Sequence, residues 1–277
     1  MRRISRGGGG GGGWGGGYGF RFDISEYFPR AIKTLCLICV GVFLLQELSR
    51  FFFHTEGWNF WLLYFGASPY TVFKGVSIFG LPIPAFWQPV TYLFLHATIW
   101  HILFNLLYLA MFGAALEHMW GAKKFYTYFF ICGIGAGLID LAVRTALDPH
   151  MQHLALMQTI GASGAIYGVL LAAAVVMPHQ QVWMFPLPVT ISMRLFVIIM
   201  GAIEFFMTLG ATGDGVSHFC HLGGMLVGYL YLRRGSHLYN FRNYFSDWKR
   251  RRLRKKFDVY VREHRDKPPS RPDNWVN

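Results

Sequence analysis

The 277-residue chain is 53% hydrophobic and only 14% charged, which excludes an ordinary soluble domain of this length. Runs of about 20 apolar residues are enough to cross a hydrocarbon core about 30 Å thick, so the sequence predicts an integral membrane protein. The formal net charge of +12 comes mainly from lysines and arginines near the two ends of the chain. Basic clusters beside membrane spans are typical of the cytoplasmic leaflet, where anionic lipids attract them, so we predict no nucleic-acid partner.

The chain opens with a glycine-rich segment that carries arginines and scattered aromatic side chains. Glycine loses more conformational entropy on folding than any other residue, so residues 1–30 are expected to form a flexible cytoplasmic arm. The first predicted span then runs from about Ala31 to Leu48. The next stretch, as far as Trp100, is dense in aromatic residues and interrupted by prolines. It predicts short helices and loops that lie at the membrane interface and are partly embedded in it.

Five further apolar stretches predict membrane spans, namely Trp100–Glu117, Lys124–Val143, Ile160–Met177, Val189–Leu209 and His218–Leu232. Most lysines and arginines lie before the first span, after the second or after the sixth. This bias, together with an even number of spans, predicts that both termini are cytoplasmic. The expected fold class is therefore all-α and integral to the membrane, with a six-span domain over residues 31–235 and a basic cytoplasmic tail over residues 236–277.

Uncharged polar side chains lie near the start of the three even-numbered spans. His101 and Asn105 lie at the start of the second span, and Ser163 lies at the start of the fourth. His218 and His221 lie at the start of the sixth. Because these three spans run from outside to inside, we expect all five side chains at one depth, near the outer face. Residues of these types at one depth indicate hydrolytic chemistry inside the bilayer.

A serine hydroxyl is a weak nucleophile until a neighbouring base takes its proton, and histidine has a suitable pKa for that role. We therefore predict that Ser163 and His221 meet across the interface of the fourth and sixth spans. Small residues at intervals of four allow close helix approach, and both spans carry such pairs: Gly164 and Gly168, Gly224 and Gly228. Helix packing without any catalytic role would use the same glycines, so only the pairing of the serine with the histidine favours a catalytic site. Tyr167 lies one turn below Ser163 and is expected to pack against the imidazole.

His101 and Asn105 are four residues apart, so their side chains point the same way on one helix. Acyl transfer needs donors aimed at a developing oxyanion, and an imidazole N–H and an amide N–H suit that purpose. The alternative is that Asn105 bonds to a neighbouring helix, which is a common fate of buried amides in membranes.

No acidic residue is an evident third member of a catalytic triad. Glu117 lies at the inner end of the second span, and Asp214 lies at a suitable depth but in a connection. Asp140 and Glu204 lie within the third and fifth spans. A serine–histidine dyad is therefore the simpler hypothesis.

A metal site is the main chemical alternative. His218 and His221 have metal-ligand spacing, and four more histidines are expected on the same side, namely His96, His101, His150 and His153. However, no His-Glu-x-x-His motif occurs, no carboxylate joins the histidines in sequence, and a metal would leave the serine without a role. We predict neither a metal ion nor a cofactor.

Taken together, these motifs resemble those of the rhomboid intramembrane serine proteases. The resemblance covers the six-span core and rests on Gly161-Ala162-Ser163-Gly164 with Tyr167, on His221 with Gly224 and Gly228, and on His96 upstream of His101 and Asn105. It implies Ser163 as the nucleophile and His221 as the general base. It also implies an oxyanion hole made of His101, Asn105 and the Ser163 backbone N–H.

The resemblance further implies that the substrates are transmembrane proteins cut near the outer membrane surface. It implies a membrane-embedded loop after the first span, and the six-span form resembles bacterial members, which implies a plasma membrane. The chain departs from the family pattern in the scaffold of that loop: His118 and Met119 follow Glu117 where Glu-x-Arg is frequent, and Trp87-Gln88 replaces Trp-Arg. The rival hypothesis is a non-catalytic protein that binds client spans. The sequence makes no prediction of oligomeric state.

Hydrolysis at this depth requires water. The fourth span is short, so Ser163 is expected below the outer surface of the membrane. We therefore predict a polar cavity that opens outward and is lined by His96, His101, Asn105 and His221.

Overall fold

The computed structural model describes residues 28–183, 189–210 and 217–234. Most of the predicted arm over residues 1–30 lies outside these ranges, as do the predicted tail over residues 236–277 and Asp214. In chain order, the helices are α1 (Arg30–Phe65), α2 (Pro69–Lys74), α3 (Gln88–Thr91), α4 (Ile99–Trp120), α5 (Ala122–Leu147), α6 (Ser163–Val176), α7 (Met193–Leu209) and α8 (218–234). Helix α4 includes a π-helical turn over Leu109–Gly113.

Helix α1 is longer than the first predicted span, because it continues past Leu48 to Phe65. His54 has a φ of 54°, which interrupts the helical backbone and divides α1 into two segments. The second segment contains aromatic residues that were predicted to form short helices and loops, and it is a short helix that follows the first directly. No proline lies between Arg30 and Phe65, and therefore no residue there lacks the N–H that a helix needs.

The rest of the connection between α1 and α4 consists of short elements, as the proline spacing predicts. Helix α2 leads into an antiparallel hairpin of β1 (Val76–Ile78) and β2 (Leu81–Ile83), which is followed by α3 and a 3₁₀ turn. The indole N–H of Trp87 donates to the Tyr64 carbonyl, and the Gln88 amide donates to the Leu63 carbonyl, each at 2.7 Å. Gln88 thus anchors the connection to the end of α1.

The connection between α6 and α7 also contains a hairpin, in which β3 (Gln181–Trp183) pairs antiparallel with β4 (Thr190–Ser192). The fifth span was predicted to begin at Val189, whereas α7 begins at Met193. The Ser192 hydroxyl caps this helix by accepting a bond from the Leu195 N–H. A serine N-cap satisfies one of the amide groups that the first helical turn leaves free.

Helix α6 is the central helix, and ten of its 14 residues are buried. The outer helices instead expose large apolar side chains, such as Leu44 on α1 and Phe206 on α7. Among the described residues, α1, α4 and α5 are long and apolar enough to cross a membrane. Apolar surface that faces outward around a buried central helix suits a hydrocarbon environment, and the chain is an integral membrane protein.

The buried carboxylate of Glu117 joins the C-terminal end of α4 to the start of α1. It accepts bonds from the backbone N–H groups of Ala31, at 2.8 Å, and Ile32, at 3.0 Å. The first N–H groups of a helix have no partner within that helix, and the N-cap residue Pro29 offers no side-chain acceptor. Glu117 therefore caps α1 from another helix.

We expect Glu117→Ala to lower the free energy of unfolding by about 1–3 kcal/mol, because two buried donors lose their acceptor. Thermal unfolding in detergent, followed by tryptophan fluorescence, measures this change. Glu47→Ala is the control, since Glu47 forms only a half-exposed pair with Arg50 and is expected to contribute less than about 1 kcal/mol. Equal losses in the two variants would contradict the capping role.

Candidate active site

The serine and histidine predicted to meet are in contact. The Ser163 Oγ and the His221 Nε2 are 2.8 Å apart. Ser163 is the first residue of α6 and is half-buried, and His221 lies in the first turn of α8 and is buried. At this distance the hydroxyl donates to Nε2 whenever the ring proton is on Nδ1. The arrangement can pass a proton from the serine to the histidine.

Glycines set the close approach of α6 and α8 below this pair. A Cβ added to Gly224 would lie 1.9 Å from the carbonyl oxygen of Gly164, and one added to Gly228 would lie 3.3 Å from the Cα of Gly168. The two backbones therefore touch at both positions, and no side chain fits between them at Gly224. This contact brings the N-terminal ends of the two helices within hydrogen-bond reach of each other.

The aromatic ring of Tyr167 orients the imidazole of His221. Their ring centroids are 4.3 Å apart and their planes differ by 15°, so the rings are stacked. The Tyr167 hydroxyl donates to a carboxylate oxygen of Glu204 on α7. Tyr167 thus connects the histidine to a third helix.

Gly161 places the backbone just before Ser163 against two polar side chains. Its φ is 114°, in the left-handed region that favours glycine. A Cβ there would lie 2.6 Å from the Nε2 of His101 and 3.6 Å from the Nδ2 of Asn105. The side chains of His101 and Asn105 therefore converge beside the backbone of Gly161, which is two residues before Ser163.

Both of these side chains present an N–H group at this point. The backbone N–H of Ala97 donates to the Nδ1 of His101 at 3.3 Å, so the proton of the neutral ring is on Nε2. The Nδ2 of Asn105 is buried without a hydrogen-bond partner among the described residues. A buried donor without a partner is costly, and such groups are often functional.

His96 lies behind His101, with the two ring centroids 5.1 Å apart. Burial and, to a smaller extent, the neighbouring His101 lower the pKa of His96 from 6.5 to about 3. The backbone N–H of His96 donates to the Gln46 side chain of α1 at 3.2 Å. His96 is therefore a neutral, buried ring that supports the start of α4.

Glu204 is a residue of this site that the sequence interpretation did not find. One of its carboxylate oxygens, Oε2, lies 2.6 Å from the Nδ1 of His218 and 3.0 Å from the Nδ1 of His221. The sequence interpretation named Glu204 within the fifth span but did not select it as a partner of the histidines. The available signal was a carboxylate within an apolar span, because ionisable groups are costly in a membrane and usually have a function.

Asp140, the other acidic residue within a predicted span, belongs to a separate cluster. It accepts bonds from three side chains, those of Arg144, Thr159 and Ser217. These bonds hold the segment before α6 and the start of α8 to α5.

The carboxylate of Glu204 also removes one argument against a metal. One ligand atom from each of Glu204, His218 and His221 lies within 4.8 Å of the others. Direct contacts between the carboxylate and the two imidazoles account for this cluster without an ion. The absence of a metal stays a prediction.

These features define a class, namely an integral membrane protein with a serine–histidine pair near one end of a helical bundle. A family model described as the Rhomboid domain matches residues 84–236 of the chain. That match spans more than half of the sequence, and the chain belongs to the rhomboid family.

Several curated proteins of this family are similar in sequence. Rhomboid-like protease 3 of Toxoplasma gondii is 34% identical over 147 residues, which cover 51% of this chain and 49% of the relative. Rhomboid protein 1, mitochondrial, of Saccharomyces cerevisiae is 31% identical over 140 residues, which cover 50% of this chain and 38% of the relative. Rhomboid protease GluP of Bacillus subtilis is 28% identical over 144 residues, which cover 52% of this chain and 25% of the relative. The matched region thus spans half or less of the length of these three relatives.

Proposed function

We propose that the chain is an intramembrane serine endopeptidase, in which Ser163 is the nucleophile and His221 is the general base. The observation that supports this most directly is the 2.8 Å contact between the Ser163 Oγ and the His221 Nε2. Two of the three relatives described above are named as proteases, which supports the same reaction class. A histidine beside a serine hydroxyl is the arrangement that activates the hydroxyl for attack.

The reaction proceeds through an acyl-enzyme. The Ser163 Oγ attacks the scissile carbonyl carbon while His221 takes the hydroxyl proton, which forms a tetrahedral oxyanion. His221 then gives this proton to the leaving amine, and the C–N bond breaks to leave an ester on Ser163. Water, deprotonated by His221, attacks the ester and releases the carboxylic acid and the free serine.

His101, Asn105 and the backbone N–H of Ser163 are the proposed oxyanion hole. The Nε2 of His101 and the Nδ2 of Asn105 both lie beside Gly161, within 2.6 Å and 3.6 Å of the position that a Cβ would take there. Ser163 opens α6, so its N–H is among the first amides of a helix, which have no partner in the helical ladder. Three donors aimed at one point would stabilise the charge that develops in the transition state.

We propose that the substrates are transmembrane proteins cut near the outer membrane face. Helix α6 has 14 residues, which is about 21 Å at 1.5 Å per residue, and is shorter than a hydrocarbon core of about 30 Å. If its inner end reaches the inner surface of the membrane, Ser163 lies below the outer one. A peptide bond at that depth belongs to a chain that enters the bilayer, and the predicted outward cavity would admit the water for hydrolysis.

The proposed topology has six spans, with the connection between α1 and α4 embedded in the membrane and both termini cytoplasmic. The protease domain then covers residues 31–235, between the glycine-rich arm and the basic tail. The charge bias of the connections supports this orientation. The printed names of the relatives include a mitochondrial protein and one from Bacillus, so family membership specifies no compartment. A bacterial plasma membrane remains our proposal.

A fluorophosphonate probe tests whether Ser163 is activated. We expect the wild-type protein, purified in detergent, to become covalently labelled, and we expect Ser163→Ala to remain unlabelled. Thermal unfolding of both proteins provides the control for folding. A folded wild type that does not label would contradict the proposal and favour the client-binding alternative.

A further inference from the structure

We propose that Glu204 positions His221, so that the catalytic unit is a Ser163–His221–Glu204 triad in place of the predicted dyad. This inference rests on the proposed function and adds a residue to it. Glu204 acts through the histidine and does not contact the reacting atoms, so it is a positioning residue.

The two nitrogens of the His221 ring have different partners. Nε2 is 2.8 Å from the Ser163 Oγ, and Nδ1 is 3.0 Å from the Oε2 of Glu204. The second contact has the length of an ion pair, but the Nδ1–H direction is off the line to the oxygen, so it does not meet hydrogen-bond geometry. Such contacts in substrate-free enzymes commonly become aligned when the substrate binds.

The carboxylate of Glu204 is held in place by other side chains. The Tyr167 hydroxyl donates to its Oε1, and the Nδ1 of His218 lies 2.6 Å from its Oε2. Only 7% of the Glu204 surface is exposed, so water contributes little to its solvation. Two partners from α6 and α8 thus fix a carboxylate from α7 beside the histidine.

This arrangement favours the tautomer of His221 that carries its proton on Nδ1. An ionised carboxylate is only an acceptor, so a proton on the neighbouring Nδ1 is stabilised beside it, and Nε2 then keeps a lone pair for the serine proton. When His221 takes that proton, the imidazolium charge forms beside the carboxylate. Little water separates the two groups, so their attraction is stronger than it would be in bulk solvent.

The test uses Glu204→Gln in the full-length protein. The glutamine amide can donate to Nδ1 and so favours the Nε2–H tautomer, which cannot accept the serine proton. We expect the rate of fluorophosphonate labelling to fall by about 10²- to 10⁴-fold. Glu204→Asp keeps the charge and is expected to lose less activity than Glu204→Gln.

Nitrogen-15 NMR of histidine-labelled protein provides a readout that a merely structural role would not change. The His221 signals are assigned by their loss in His221→Ala. We expect the Nδ1–H tautomer in the wild type and a shift towards Nε2–H in Glu204→Gln. Glu47→Gln is the matched control, because Glu47 lies in a half-exposed pair with Arg50. We expect this variant to have the labelling rate and the His221 nitrogen-15 signals of the wild type.

Two results would overturn the inference. One is an Nε2–H tautomer in the wild type, which can be observed even if Glu204→Gln does not fold. The other is a folded Glu204→Gln variant that labels within twofold of the wild type. Failure of the proposed function is distinguishable, because then the wild-type protein itself would not label.

Discussion

Replacing Ser163 or His221 with alanine is expected to reduce the rate of peptide cleavage by on the order of 10⁴- to 10⁶-fold. The two residues act as one unit, because the hydroxyl is reactive only while the Nε2 of His221, 2.8 Å away, can take its proton. The double variant Ser163→Ala/His221→Ala should therefore be no slower than either single variant. Cleavage of a transmembrane reporter protein in liposomes, measured as kcat and KM, tests this expectation.

Ser77→Ala and His150→Ala are matched controls, since both residues are exposed and lie outside the candidate active site. We expect both to cleave the reporter at the wild-type rate. Additive losses in the double variant would mean that the serine and the histidine contribute independently, and would contradict a nucleophile–base pair. Substantial cleavage by Ser163→Ala would exclude that serine as the nucleophile.

Among substitutions that add one methyl group at the α6–α8 interface, we expect Gly224→Ala to destabilise the folded protein most. Its Cβ would lie 1.9 Å from the carbonyl oxygen of Gly164, and neither backbone can move without separating the two helices. We expect a loss of at least about 3 kcal/mol in unfolding free energy, or no folded protein. Because the same interface brings Ser163 to His221, labelling of Ser163 should be lost as well.

Gly41→Ala is the control for this substitution. Gly41 also lies in a helix, but a Cβ added there would have no atom within 4 Å. Alanine is a better helix former than glycine, so this variant is expected to be as stable as the wild type or slightly more stable. Thermal unfolding and labelling measured on both variants test the contrast. A Gly224→Ala protein with wild-type unfolding and labelling would show that the helices are farther apart than described.

The sequence alone was sufficient to predict the apolar helices and the residues that converge around Ser163. Helical spans follow from runs of apolar residues, which are local in sequence. The alternating direction expected of successive spans predicts that His101, Ser163 and His221 lie at one depth, and the glycine pairs indicate which helices touch. Each of these inferences needs only spacing along the chain.

Only the tertiary structure revealed the contacts that depend on how helices rotate about their axes. Glu204 and His221 lie on different helices, and no spacing in the sequence shows that the carboxylate faces the imidazole instead of lipid. Glu117 caps α1 at the N–H groups of Ala31 and Ile32, which lie 86 and 85 positions away in the sequence. The break at His54 is likewise not signalled by a proline or a glycine at that position. Rotation and pairing of helices are decided by packing across the whole bundle, which apolar periodicity along one helix does not specify.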